Sequence, residues 1–184
     1  MARPARSRQA DQRRDRPGVI AAPPILFGVA LAIGFFLHAI APLRIAPLRS
    51  APLAGGTVGL AGATLIVIGL LLSAAVVRAF RSAGTNVSPY RETSRFVCAG
   101  PYRYTRNPDY IGQTLMYAGI ALVANSWWPL LLLPLALSVI QHGVVRCEER
   151  YLAAKFGQEY RDYTARVPRW LGCRARCSTG TQAR

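Results

Sequence analysis

Between Gly100 and Gly112 the chain reads Gly-Pro-Tyr-Arg-Tyr-Thr-Arg-Asn-Pro-Asp-Tyr-Ile-Gly. Tyr102, Tyr104 and Tyr110 offer aromatic faces with polar tips. Arg103 and Arg106 can each fork onto a carboxylate. Pro101 and Pro108 force extended or turn backbone just before them, and the glycines allow positive φ or close backbone approach. A lipid-facing helix has no use for this mixture, whereas a polar pocket at a membrane surface does. The blander reading is a basic, aromatic loop that only anchors the protein at the interface. A second polar run follows later, His142-Gly143-Val144-Val145-Arg146-Cys147-Glu148-Glu149-Arg150-Tyr151-Leu152. On a continuous helix His142, Arg146 and Glu149 share one face, and Glu148 falls on the neighbouring one. Adjacent carboxylates there either form ion pairs on a solvated surface or bind something.

The elements that must position these residues are apolar. Four stretches read as transmembrane helices, over about 19–41, 57–77, 110–125 and 128–145. Pro23 and Pro24 suit the first turn of the first span. Gly59, Gly62, Gly69, Ser73 and Ala74 allow close helix packing in the second. The third is short for a full crossing, and Asn125-Ser126-Trp127 joins it to the fourth as an antiparallel hairpin. The spacing of Tyr151, Leu152, Phe156, Tyr160 and Tyr163 predicts a basic amphipathic helix after it. The expected fold is an all-α integral membrane protein with about four transmembrane helices, a C-terminal helical hairpin and a cytoplasmic amphipathic helix. Residues 1–18 read as a disordered basic arm, 19–83 as the first two helices, 84–171 as the chemical core and 172–184 as a loose tail.

Charge sets the orientation. The chain of 184 residues carries a net +15, and every basic residue except Lys155 is arginine. The arginines cluster in the N-terminal arm, in 78–106 and in the C-terminal region, and the other two loops hold only Arg44 and Arg49. Positive charge inside places both termini and both polar regions on the cytoplasmic face of a multi-pass protein, as expected for a bacterial inner membrane. Arginines partitioned around apolar spans point to anionic lipid headgroups and away from nucleic acid. Cys98, Cys147, Cys173 and Cys177 then all lie where disulfides are rare, and the lone Cys173/Cys177 pair lacks the partners of a zinc site. No metal is expected.

The 100–112 run, the hairpin, Glu148-Glu149-Arg150-Tyr151-Leu152, Phe156-Gly157-Gln158-Glu159-Tyr160 and Val167-Pro168-Arg169-Trp170 come in an order that resembles the isoprenylcysteine carboxyl methyltransferase family and its bacterial and phospholipid-methyltransferase relatives. The likeness covers roughly residues 84–171. It implies an S-adenosylmethionine-dependent integral membrane methyltransferase acting on a lipidic or prenylated acceptor, with carboxylate O-methylation favoured over phospholipid amine N-methylation. It also implies that Phe96, Val97, Gly100, Tyr102, Arg103, Asn107, Pro108, Tyr110, Glu148 and Glu149 surround the cofactor. Arg106, Glu149 and His142 are the catalytic candidates, the last two as bases toward an amine. Asn107 stands where eukaryotic members usually carry histidine, and unlike histidine it cannot become cationic. Two rivals make other predictions. A membrane reductase of the sterol-reductase type would bind a nicotinamide dinucleotide, and a non-catalytic lipid-binding protein would bind neither cofactor.

Overall fold

The computed structural model describes residues 21–45, 52–84 and 97–171. Phe96, Cys173, Cys177, the basic arm and the tail lie outside the described residues. Among the described residues there are five α-helices: α1 (Pro23–Ile40), α2 (Pro52–Ser82), α3 (Pro108–Val123), α4 (Trp127–Ile140) and α5 (Arg146–Arg166). A 3-10 turn, Gly100–Arg103, precedes α3, and a π-helical turn, Gln141–Val145, joins α4 to α5. Among the described residues there is no strand.

Among the described residues three segments are long and apolar enough to cross a bilayer: Pro23–Ile40, Gly56–Ser82 and Trp127–Arg166. In the last, the apolar part is α4 with the π turn, and the polar α5 begins at Arg146. Against an expectation of four spans, α3 has 16 residues, short of the roughly 20 that a bilayer core needs. Large apolar side chains such as Phe36, Leu71 and Leu135 stand exposed, as a surrounding of lipid would require. Helix α2 starts before the expected Thr57 and runs five residues beyond Val77, so residues 52–56 and 78–82, expected outside the span, are helical.

Helices α2 and α3 pack antiparallel along a seam of glycines. A Cβ added at Gly62 would lie 2.7 Å from the Gly119 carbonyl oxygen, and one at Gly69 would lie 2.5 Å from that of Gly112. The two pairs are seven residues apart on each helix, so small residues recur on one face and the backbones touch. One turn further, Ser73 Oγ donates to Asp109 Oδ1 at 3.4 Å. Helix α1 meets α4 where Gly34 packs on Pro129. Phe27, Tyr110, Tyr117, Ile140, Val144 and Val145 form the shared core, with Trp170 packed against it. Tyr117 is fully buried, and its hydroxyl donates to the Pro129 carbonyl at 2.9 Å.

At the far end the chain turns through Asn125, at φ 50°. This is left-handed backbone that asparagine tolerates better than most residues. Ser126 Oγ and His38 Nδ1 lie 2.9 Å apart, and Trp128 Nε1 donates to the Ala41 carbonyl at 2.6 Å. These bonds tie the end of α1 to the hairpin, and the acids and tyrosines of 102–110 and 148–149 gather at the opposite end.

Candidate active site

The polar end is built from three pieces of chain: the 3-10 turn with the start of α3, the start of α5, and the segment after Gly157. Gly100 takes φ +61° beside Ala79, just ahead of Pro101. Tyr102 then meets Phe80 edge-on, with ring centroids 5.6 Å apart. Pro108 opens α3, where its missing N–H costs nothing. That places Asp109 and Tyr110 in the first turn. Val97 is buried, and Arg103 and Tyr104 are exposed.

Tyr110, itself buried, donates its hydroxyl to Glu148 Oε2 at 2.8 Å. Among the described residues Glu148 Oε1 has no hydrogen-bond partner. Burial pushes the Glu148 carboxyl up from 4.5 to about 7, the Tyr110 hydrogen bond opposes that rise, and the negative charges of Asp109 and Glu149 add to it. The Tyr102 phenol is raised in turn, first by burial, then by Asp109, Glu148 and Tyr163. Asp109 Oδ2 accepts from Gln113 Nε2 at 2.7 Å. Tyr102, Asp109, Tyr110 and Glu148 therefore form one acid–tyrosine cluster.

Glu149 belongs to a different cluster. Its Oε1 accepts from Arg106 Nη1 at 3.1 Å and Arg169 Nε at 2.9 Å, and its Oε2 from Arg169 Nη2 at 2.7 Å. The Glu149 hydrogen bonds raise Arg169 above the ordinary arginine value. Around this clamp the chain is stitched by backbone. Arg106 N donates to the Pro168 carbonyl at 3.0 Å, and Thr105 Oγ1 and Asn107 Nδ2 both donate to the Arg169 carbonyl. Tyr163 donates its hydroxyl to the Tyr102 carbonyl at 2.8 Å. Tyr160, Tyr163 and Val167 pack with Leu152 and Phe156, while Tyr151 meets Lys155 instead.

His142 lies in the π turn, exposed, with Nδ1 donating to the Ser138 carbonyl at 2.8 Å. The spacing that put His142, Arg146 and Glu149 on one face assumed an unbroken α-helix. The π turn uses i→i+5 hydrogen bonds and shifts the register. His142 and Arg146 end up exposed, whereas Glu149 sits between its arginines. Asn107 has its amide nitrogen bonded to the Arg169 carbonyl, and Arg106 gives Nη1 to Glu149 while its buried Nε has no hydrogen-bond partner among the described residues.

Two important residues were absent from the sequence-derived site. Asp109 was readable as an acid in a helix first turn inside the motif. Arg169 was readable as the cation of the Val-Pro-Arg-Trp run. Which acid each one would meet was not readable. Among the described residues no group of three histidines, cysteines or acids is placed to hold a metal.

Fold and site together define a helical membrane protein with a cluster of acids and tyrosines at one end of its bundle. The phospholipid methyltransferase family profile matches residues 58–159, and the chain belongs to that family. The match starts inside α2 and includes the glycine seam, Asp109, Tyr110 and both glutamates. Over 112 residues the chain is 29% identical to the cobalt-zinc-cadmium resistance protein CzcN of Cupriavidus metallidurans, covering 61% of this chain and 46% of that protein. Over 99 residues it is 31% identical to the protein-S-isoprenylcysteine O-methyltransferase of Schizosaccharomyces pombe, covering 53% of this chain and 42% of the relative. The chain thus spans less than half the length of either curated relative. No solved structure matches it.

Proposed function

We propose that this protein transfers a methyl group from S-adenosylmethionine to a lipidic acceptor at the cytoplasmic end of its helices. The observation that carries this is Glu148, an acid oriented by Tyr110 through one oxygen, with the other oxygen unspent. When bound, S-adenosylmethionine supplies a methyl group on a cationic sulfonium. Glu148 Oε1 suits the ammonium or ribose hydroxyls of such a molecule, and the Tyr102 ring suits the sulfonium. The exposed Arg103 is left to meet its carboxylate, because Arg106 is held by Glu149. The surrounding chain orients the partners and excludes water, from which most of the acceleration of an in-line displacement would come.

The charges of the pocket favour an amine acceptor over the carboxylate expected from the likeness. Asp109 and Glu148 are the acids of that cluster, Glu148 being about half ionised near pH 7, and Arg106 Nη1 and the Arg169 guanidinium turn to Glu149 instead. An ammonium headgroup is attracted by that arrangement, and a carboxylate is repelled. Asp109 would take the proton that the ammonium must lose before its nitrogen can attack the methyl. His142, exposed and bonded to Ser138, would have no part in it. Carboxylate O-methylation is the second reading, supported by the likeness to the fission-yeast protein.

An apolar groove of about 210 Å³ between α1 and α4, running from Leu26 to Val139, suits the hydrocarbon part of either acceptor. In this reading α3 completes a fourth crossing beside α2. Both termini face the cytoplasm of a bacterial cell, and residues 84–171 hold the catalytic core.

The test is transfer of labelled methyl into vesicles that contain phosphatidylethanolamine or a farnesylcysteine analogue. Alkali-stable label in the phosphatidylethanolamine fraction is expected. Alkali-labile label on the farnesylcysteine would replace the amine by the carboxylate, and no transfer to either would overturn the function.

A further inference from the structure

Glu148 and Glu149 are neighbours in sequence, but successive residues on a helix point about 100° apart, so they serve different places. Glu148 keeps one oxygen without a protein partner, whereas Glu149 has both oxygens occupied by two arginines from two other pieces of chain. We propose that Glu149 is a positioning residue that touches no ligand. Acting through Arg106 and Arg169, it latches residues 158–170 as a cover over the pocket that contains Glu148 and Tyr102. The proposal rests on that pocket being the methyl-donor site.

Three observations converge on it. First, α5 breaks at Gly157, where φ 54° and ψ −117° are open to glycine and strained for other residues. The break redirects the chain after Phe156, and nothing within 4 Å of a Cβ added at Gly157 would obstruct a turn there. Second, the inner side of the redirected segment bonds to the site: Tyr163 to the Tyr102 carbonyl, and the Pro168 and Arg169 carbonyls to Arg106, Thr105 and Asn107. Trp170 then packs on the Tyr110–Tyr117 core. Third, Glu149 is the acid that joins the two sides of this closure, since Arg106 lies on the pocket side and Arg169 on the cover. The Arg106–Glu149 pair is shielded, with side chains 17% and 18% exposed, whereas Arg169 lies at the surface, 39% exposed.

A latch and a ligand contact are distinguishable by rates. S-adenosylhomocysteine association and dissociation are measured by Trp fluorescence on full-length protein in detergent, for wild type, Glu149→Gln, Arg169→Gln and the double variant. Each single change should raise the dissociation rate about tenfold with little effect on association, as loss of one member of a hydrogen-bonded charge pair does. The double variant should be no worse than either single one, because both remove the same latch. Arg169→Lys should recover part of the loss. Loss of binding in Glu149→Gln with an unchanged rate in Arg169→Gln would overturn the proposal, as would additive effects.

Trypsin cleavage after Arg161 and Arg166, followed without ligand, reads the cover directly. It should be faster in both single variants, whose retained melting transitions control for folding. Equal cleavage in wild type and variants overturns the latch whatever the binding result. If wild type binds no S-adenosylhomocysteine, the methyltransferase reading fails, and the cleavage rates still decide whether Glu149 holds the segment.

Discussion

Replacing Glu148 with glutamine removes a charge and little else. The new side chain has the same length, and its amide oxygen can still accept from Tyr110. A hydrogen bond to a charged group is worth about 1.5–3 kcal/mol net, so S-adenosylhomocysteine should bind roughly 10–150-fold more weakly to Glu148→Gln at pH 8. With the wild-type carboxyl raised to about 7, it is mostly ionised at pH 8 and mostly protonated at pH 6. If only the carboxylate holds the ligand ammonium, wild-type affinity falls about tenfold over that interval, whereas the variant stays flat. The gap between the two therefore narrows as pH falls.

Stability should move the other way. A carboxyl whose value rises on folding binds its proton more tightly in the native state. Its contribution is complete below 4.5 and is lost as pH rises through about 7. Glutamine has no such loss, so the variant should melt higher than wild type at pH 8 and lose that advantage near pH 4.5. Calorimetric titration at pH 6 and pH 8, with thermal unfolding in the same detergent, measures both. An equal loss of affinity at the two pH values, or a variant that melts lower than wild type at pH 8, would refute the reasoning.

Tyr110→Phe removes the hydrogen bond that opposes protonation of Glu148. The pH midpoint of ligand binding should shift upward, and a midpoint that stays in place would show that Tyr110 does not act through Glu148. Gly69→Leu forces a side chain against the Gly112 carbonyl and Met116. It should destabilise the α2–α3 pair by about 1–3 kcal/mol, read as a lower melting temperature in detergent. Gly157→Val meets no steric obstacle but must adopt φ 54°, so it should cost about 1–2 kcal/mol and speed trypsin cleavage after Arg161. His142→Ala should leave methyl transfer within about twofold of wild type, since the ring is exposed and bonded only to Ser138. A hundredfold loss would return it to the catalytic group.

Much of this protein is legible in its sequence. Apolar runs of bilayer length can only be helices in lipid, because every backbone group must find its partner within the segment. Gly59, Gly62, Gly69, Ser73 and Ala74 marked the second span as closely packed, though that Gly112 and Gly119 would face it came only from the folded structure. The 100–112 run and the paired glutamates marked the polar end as the chemical one, because such residues have no place in hydrocarbon.

Partner choice was not legible. Glu148 and Glu149 are the same residue type at consecutive positions, and only tertiary contacts give one a tyrosine and the other two arginines. The π turn at Gln141–Val145 has no signature in composition, yet it decides that His142 and Glu149 leave a common face. Local residue type and period dictate where helices form and which end is polar, because those follow from backbone hydrogen bonding and from the cost of moving charge into lipid. The ion pairs, the break at Gly157 and the cover over Tyr102 join residues up to 64 apart in the chain. Only the folded arrangement could decide them, because the energy of such a contact depends on the distance and burial that the whole packing sets.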